Sequence, residues 1–166
     1  VLQEKILEPL GMNESGIYQK GQLISKLAKA YKHKDGKYSF CPPVKGDYCM
    51  GGNINLNLFQ ASGSMYSTAS DLLKWDTALH GKSLLSSVSL DMLLNPKEPV
   101  AWDVFQEQPI NGKKNKVVLA DGNLEGYSSL IVTFISSNRR IILLNNSGMS
   151  RDKLVDIALE IAASID

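Results

Sequence analysis

Hydrophobic and polar positions follow a different period in the two parts of the chain, and the change of period predicts its organisation. In residues 1–8, Leu2, Ile6 and the neighbouring Leu7 share one face at helical spacing, and Pro9 with Gly11 stops the run, which predicts the end of a helix. Residues 27–31 and 37–40 flank Lys34-Asp35-Gly36, a pattern for a small hairpin closed by Pro42-Pro43. Residues 44–64 are rich in Gly and Asn, have little periodicity and read as an ordered loop. At Ser67-Thr-Ala-Ser-Asp71 a capping box is expected, with Thr68 accepting from the Asp71 N–H and the Asp71 carboxylate reaching back. A helix over residues 69–79 follows, burying Leu72, Trp75, Ala78 and Leu79 and turning Lys74 and Asp76 outward; His80 and Gly81 end it. Ser86-Ser87 caps a second helix that Asn95-Pro96 stops.

Beyond residue 96 the period changes from 3.6 to 2 or to continuous apolar runs. Residues 100–106 and 116–119 read as strands around an Asn111-Gly112 hairpin turn, and residues 127–135 and 140–144 as a second hairpin around residues 136–139. Ser150 and Asp152 start a last helix whose Leu154, Val155, Ile157, Ala158, Ile161 and Ala162 form a broad apolar stripe. That stripe is expected to cover one face of the strands. The predicted class is α+β: an antiparallel β-sheet packed by a C-terminal helix and preceded by a helical and loop region. The 166 residues are read as one portion of a single domain, with 1–96 mostly helix and loop and 97–166 sheet plus terminal helix.

Composition narrows the function classes. Hydrophobic residues at 43% and charged residues at 21% are ordinary globular usage, which excludes a disordered or fibrous chain. A net charge of +1 with scattered lysines gives no footprint for nucleic acid, and Lys32, Lys34 and Lys37 around the first turn read as a solvated hairpin. No apolar run approaches the ~20 residues of a membrane-spanning helix, so no span is expected. The opening Val1-Leu-Gln-Glu-Lys carries no signal-peptide pattern and reads as a helix already under way, hence as a piece of a longer protein. Cys41 and Cys49 have no His or acidic cluster at metal spacing around them, so no metal and no cofactor is expected; a disulfide and two free thiols both remain open.

Three groups of residues carry a family resemblance. Residues 119–134, Leu-Ala-Asp-Gly-Asn-Leu-Glu-Gly-Tyr-Ser-Ser-Leu-Ile-Val-Thr-Phe, form a glycine-bearing turn feeding an apolar strand, and residues 136–148 complete a second strand with a small polar end. Ile6-Leu-Glu-Pro-Leu-Gly-Met12 and Gly63-Ser-Met-Tyr-Ser-Thr-Ala-Ser-Asp-Leu-Leu-Lys-Trp75, the latter followed by Lys82-Ser-Leu-Leu85, precede them. In this order the blocks resemble the C-terminal part of the serine β-lactamase (class C-like) and penicillin-binding-protein-like family, and they span nearly the whole chain. The resemblance implies the second half of a serine hydrolase that forms an acyl-enzyme with a β-lactam, peptide or ester and hydrolyses it. It further implies an extracytoplasmic protein and, as partner, the N-terminal half of the same protein.

In that family a Lys-Thr-Gly or His-x-Gly triplet lies on the substrate edge, and the matching residues here are Ala120, Asp121 and Gly122. The resemblance assigns the backbone N–H of Asn123 to the oxyanion hole. Ala120 supplies neither cation nor imidazole, and Asp121 is expected to set a negative charge where an anionic substrate group would sit. On the residues alone, Gly122 and Gly126 serve a turn and close strand packing.

The family nucleophile lies in Ser-x-x-Lys, and the one such string here is Ser150-Arg-Asp-Lys153 at the predicted start of the last helix, where Ser150 reads as an N-cap. No Tyr-x-Asn occurs; Ser136-Ser137-Asn138 fits Ser-x-Asn but falls in a tight turn. His33 sits beside a hairpin turn, and His80 at a helix end reads as a partner of backbone carbonyls. Three readings follow: a fragment of a hydrolase whose nucleophile lies outside the chain, a non-catalytic binding or scaffold module, and an autonomous Ser150/Lys153 hydrolase. A sheet lacking the family's N-terminal strands is also expected to expose an edge, through which a homodimer would form.

Overall fold

The computed structural model describes residues 1–19, 24–35, 37–40, 62–81, 83–97, 102–124 and 126–165. A π-helical turn at Gln3–Leu7 is followed by β1 (Gly16–Ile17), β2 (Tyr31–Lys34), β3 (Lys37–Phe40), β4 (Met65–Tyr66), α1 (Ala69–His80) and α2 (Ser87–Leu94). Then come β5 (Asp103–Ile110), β6 (Lys113–Leu124), β7 (Tyr127–Phe134), β8 (Arg139–Asn145) and α3 (Arg151–Ser164). β5-β6-β7-β8 form one antiparallel sheet in chain order, and β1-β4 and β2-β3 are separate two-stranded ribbons. The fold is α+β, with an antiparallel sheet and a C-terminal helix upon it.

Local chemistry sets the sheet's turns. Asn111 and Gly112 both take positive φ, 47° and 73°, as a two-residue turn matched to strand twist requires. Asn138 (φ 53°) supplies the corresponding left-handed residue between β7 and β8.

Register then sorts side chains between the two faces. Leu119 lies opposite Val132, which lies opposite Ile141, so one apolar row crosses three strands. With Val117, Leu130 and Phe134 this face packs against Leu154, Ala158 and Ala162 of α3. The two alanines let the helix approach closely, and Leu130 and Ala158 are 0% exposed. Each large side chain buried here stabilises the fold by roughly 1.5–3 kcal/mol. Thr133 and its register partner Arg140 point to the opposite face, where both bond Asp76 of α1. The sheet therefore lies between α1 and α3.

All three helices start on the expected caps. Thr68 Oγ1 accepts from Asp71 N at 3.2 Å, Ser86 Oγ from Ser89 N at 3.1 Å and Ser150 Oγ from Lys153 N at 3.4 Å. A cap of this kind contributes about 1 kcal/mol. The return half of the capping box does not form. The Asp71 carboxylate, 2% exposed, instead accepts from Glu14 N and Ser15 Oγ, both at 2.9 Å, and from Lys74 Nζ at 2.7 Å. A carboxylate that can bond two groups 57 and 56 residues away, as well as an ammonium, gains more than one that closes a local ring.

Asp76 is the main departure from the helical pattern. Expected to face solvent, it is buried, because Arg140, Thr133 and His80 supply the charge and bonds a carboxylate needs to leave water. Lys74, also expected outward, is exposed but tied to Asp71. Within the expected helix end, Gln3–Leu7 form a π-helical turn. β6 extends five residues past the expected 116–119, because β7 pairs with Ala120–Leu124 residue by residue. β5 begins at Asp103 and runs to Ile110; Pro109 fits there because β5 is an edge strand. The first hairpin starts at Tyr31, later than expected, and residues 41–61, including both cysteines and most of the expected loop, lie outside the described residues.

Candidate functional site

The triplet residues lie together on β6, where that strand passes from the interior of the sheet to an edge. β5 pairs with β6 only as far as Asp103 opposite Leu119, while β7 continues to pair through Leu124 opposite Tyr127. Among the described residues, Ala120–Leu124 therefore have a strand on one side only. The polarity of this edge follows from register. Ile135 N donates to Lys116 O at 2.9 Å, so these opposed residues form a hydrogen-bonded pair. In an antiparallel ladder such pairs recur every second residue, which turns the backbone groups of 118, 120, 122 and 124 toward β7. The N–H and C=O groups of Asp121 and Asn123 then point to the open edge.

Side chains alternate along the same stretch. Ala120 and Gly122 belong to the face that carries Thr133, and Asp121 and Asn123 to the face covered by α3. A Cβ at Gly122 would stand 2.9 Å from Ser129 Oγ, so the glycine permits close approach of its β7 partner. The Asp121 carboxylate does not hang free: Arg151 Nε, at the first turn of α3, donates to its Oδ1 at 3.0 Å, and Arg151 Nη2 bonds Asp103. The Asp121 hydrogen bond, with the nearby carboxylates of Asp121, Asp103 and Asp152, outweighs a small burial effect and raises the Arg151 guanidinium above its usual range, so it stays charged. One cation thus joins the start of β5, the triplet strand and α3, and offsets the negative charge expected of Asp121.

The remaining motif-like groups take structural roles. Ser150 caps α3 and its hydroxyl accepts from the Lys153 backbone, so Ser150-Arg-Asp-Lys153 forms a helix start. Asn138 accepts from Arg140 Nη1 at 2.9 Å within its turn. His33 lies on the β2-β3 ribbon against Tyr38, at 4.8 Å between ring centroids. Asn145 Oδ1, at the end of β8, accepts from Ser147 N and Met149 N and holds the link into α3.

Two polar clusters escaped the motif search. In the first, Asp76 Oδ1 accepts from Thr133 Oγ1 at 2.8 Å, Oδ2 from Arg140 Nε at 2.5 Å, and His80 Nδ1 lies 3.0 Å from Asp76 O and 3.2 Å from Oδ1. Both neighbours of Nδ1 are acceptors, so Nδ1 carries a proton. Burial works to raise the Asp76 pKa, but the bonds from His80, Thr133 and Arg140 outweigh it and hold the carboxyl below its ordinary value of 3.8. Burial likewise works to lower His80, and the bond and charge of Asp76 outweigh it, raising the imidazole above 6.5. His80 Nε2 is buried without a partner among the described residues, and the ring lies 6.1 Å from Trp102. In the second cluster, Ser15 Oγ lies 2.7 Å from Ser67 Oγ and donates to Asp71, while Lys74 donates to Asp71 and to Gly11 O at 2.6 Å. Through these bonds the group fastens residues 11–15 to α1. The i, i+4 spacing of Asp76 and His80 was the one signal available for the first cluster.

A cavity of about 470 Å³ lies elsewhere, between the first turn and the β1-β4 ribbon, with Gln3, Ser15, Gln19 and Tyr66 among its lining residues. None of the triplet residues borders it. Among the described residues no His, Cys, Asp or Glu cluster could hold a metal, and no helix is long and apolar enough to cross a membrane.

Comparison with known proteins agrees with the α+β fold. The beta-lactamase family matches residues 1–156. This chain belongs to the beta-lactamase family. Penicillin-binding protein 4* of Bacillus subtilis (strain 168) is 26% identical over 159 residues, which cover 87% of this chain and 34% of that protein. Among solved structures, a penicillin-binding protein from Bacillus halodurans superposes with a TM-score of 0.68 at 19% identity, covering 96% of this chain and 48% of its own. D-amino acid amidase from Ochrobactrum anthropi SV3 gives 0.68 at 20% identity, covering 98% and 51%. The octameric penicillin-binding protein homologue from Pyrococcus abyssi gives 0.66 at 22%, covering 96% and 36%. The chain thus has a beta-lactamase-family fold, and it spans about a third of the curated relative and between a third and a half of these structures.

Proposed function

We propose that this chain is the C-terminal, sheet-bearing part of a serine hydrolase of the beta-lactamase family, which transfers the acyl group of a β-lactam, peptide or ester to water. The open edge of β6 carries the reading, because it turns the backbone N–H of Asn123 out of the sheet. Such a donor stabilises charge developing on an attacked carbonyl oxygen whatever its side chain. The serine that attacks, its lysine and the proton relay would come from sequence outside these 166 residues, in an extracytoplasmic protein whose N-terminal half is the chief partner of this chain. The outer edge of β8, which has no strand partner among the described residues, would take that partner or, in this chain alone, a second copy.

The test compares this chain with the full reading frame on nitrocefin and p-nitrophenyl acetate, with a fluorescent penicillin as a covalent label. The full protein is expected to turn over one of these substrates and to take the label on its upstream serine. Saturable turnover by this chain alone, abolished by Ser150→Ala, would overturn the reading.

A second reading has its own observation. The first triplet position is Ala120, and Arg151 of α3, the cation that bonds this strand, is occupied by Asp121 and Asp103. A triplet with no free cation beside it among the described residues fits a non-catalytic binding or scaffold module. A full reading frame that contains no Ser-x-x-Lys and takes no covalent label would favour it.

A further inference from the structure

Trp102 is docked on α1 by two rings of that helix. Its indole stands 6.3 Å from Trp75, edge to face at 89°, and 6.1 Å from His80, with planes 34° apart. The next residue, Asp103, opens β5 opposite Leu119 of β6. The Asp103 carboxylate bonds Arg151 Nη2, and Arg151 Nε donates to Asp121 Oδ1. A contiguous set of contacts therefore runs from the end of α1 through Trp102 and the start of β5 to the triplet strand.

His80 brings a titratable charge to this route. Its side chain is 9% exposed. Among the described residues, the Asp76 carboxylate of α1 lies 3.2 Å from Nδ1, Arg140 of β8 bonds the other carboxylate oxygen, and Thr133 of β7 adds a hydroxyl without charge. Trp75 and Trp102 are uncharged. Nδ1 keeps its proton between two acceptors of Asp76, so the proton that comes and goes is the one on Nε2. Titration thus leaves the bond to Asp76 in place and changes the charge of the ring beside Trp102. Among the described residues Nε2 has no hydrogen-bond partner, so Trp102 is the neighbour through which that charge is felt outside the Asp76 cluster. A cation at this range is attracted by an aromatic π-face, and tryptophan is its best partner.

We propose that His80 is a pH-operated clamp: as an imidazolium it grips Trp102 and steadies the start of β5 and the triplet strand, and on losing the Nε2 proton it slackens both. Burial works to lower the His80 pKa, but the bond and charge of Asp76 outweigh it together with the opposing charge of Arg140, and the ring stays charged above its ordinary value of 6.5. The clamp is therefore closed below that value and loosens as pH rises through the raised one. It acts on the strand edge whichever reading of the function holds.

The intact chain has two tryptophans, so Trp75→Phe leaves Trp102 as its only indole. The emission of Trp102 is expected to titrate with a midpoint above 6.5, and the titration to vanish in Trp75→Phe/His80→Gln. Hydrogen exchange of the unsubstituted chain is compared at about pH 6 and about pH 9 as protection factors, which remove the intrinsic effect of pH. Protection at Asp103, Leu119 and Gly122 should fall by at least about threefold more than protection in β7 beneath α3. By linkage, Trp102→Leu should weaken proton binding at His80 by at least about twofold in an NMR titration of the imidazole. Emission that does not titrate, or that titrates unchanged without His80, would overturn the proposal. So would a proton affinity at His80 indifferent to Trp102→Leu. Protection lost equally in β7 would show a change of global stability alone, with the same consequence.

Discussion

Arg140 Nε on β8 lies 2.5 Å from the Asp76 carboxylate on α1, and this pair joins the helix to the face of the sheet that α3 does not cover. Both side chains are largely buried, so neither can fall back on water when the other is lost. Asp76→Ala is expected to cost about 3–5 kcal/mol in denaturant unfolding, because it strands a guanidinium and an imidazole. Combining it with Arg140→Met should recover part of that loss, since an apolar pair of similar volume needs no charge partner. A double variant no more stable than Asp76→Ala would contradict the assignment.

The same cluster sets a pH dependence with opposite signs at its two ends. The folded pKa of Asp76 is lowered, so its contribution is present above the unfolded value and lost as pH falls through the lowered folded value. The folded pKa of His80 is raised, so its contribution is full below 6.5 and lost as pH rises through the raised value. The stability difference between wild type and His80→Gln should therefore shrink as pH rises above 6.5. A difference flat across that window in chemical denaturation would contradict the imidazolium–carboxylate pair.

These residues also mark where the sequence was legible and where it was not. Thr68, Ser86 and Ser150 announce their helices because a cap is a local event, and Asn111-Gly112 announces its turn for the same reason. The stripe on α3 and the apolar runs of β7 and β8 were equally clear, since burial on one face imposes its own period. Asp76 was not legible: its partners Thr133 and Arg140 lie 57 and 64 residues away, and helical spacing alone sends a charged residue outward. Asp71 was half legible, its backbone N–H serving the cap and its carboxylate serving Glu14 and Ser15. Ala120, Asp121 and Gly122 were singled out by resemblance alone, and the link of Asp121 through Arg151 to Asp103 requires the register of β5.

Gly126 and Gly122 should respond differently to an added methyl. At Gly126 φ is 84°, and a Cβ would stand 2.7 Å from Ala30 Cβ, so Gly126→Ala strains the backbone and pushes away the hairpin root. A loss of at least about 2 kcal/mol is expected. At Gly122 the obstacle is Ser129 Oγ, which can rotate, so Gly122→Ala should cost about 1 kcal/mol or less. Urea midpoints of the two variants check the order, and equal losses would contradict it.

Arg151→Ala should act locally. Its side chain is 40% exposed, so solvent screening limits its contribution to global stability to about 1 kcal/mol or less. Faster amide exchange is expected at the start of β5 and around Asp121, where its two carboxylate partners lie. Exchange unchanged at both places would mean that the bridge does not fasten the triplet strand.

The outward groups at the end of β6 belong to the backbone, and this gives the edge an unusual tolerance. Side chains at 120, 121 and 123 can drift without removing the N–H that Asn123 turns outward, so a family member can lose its recognisable triplet and keep the donor. Proline is the exception, because it alone has no N–H to give. Divergence at this strand would therefore be bounded by one forbidden residue, while comparisons based on side-chain identity would see only the drift.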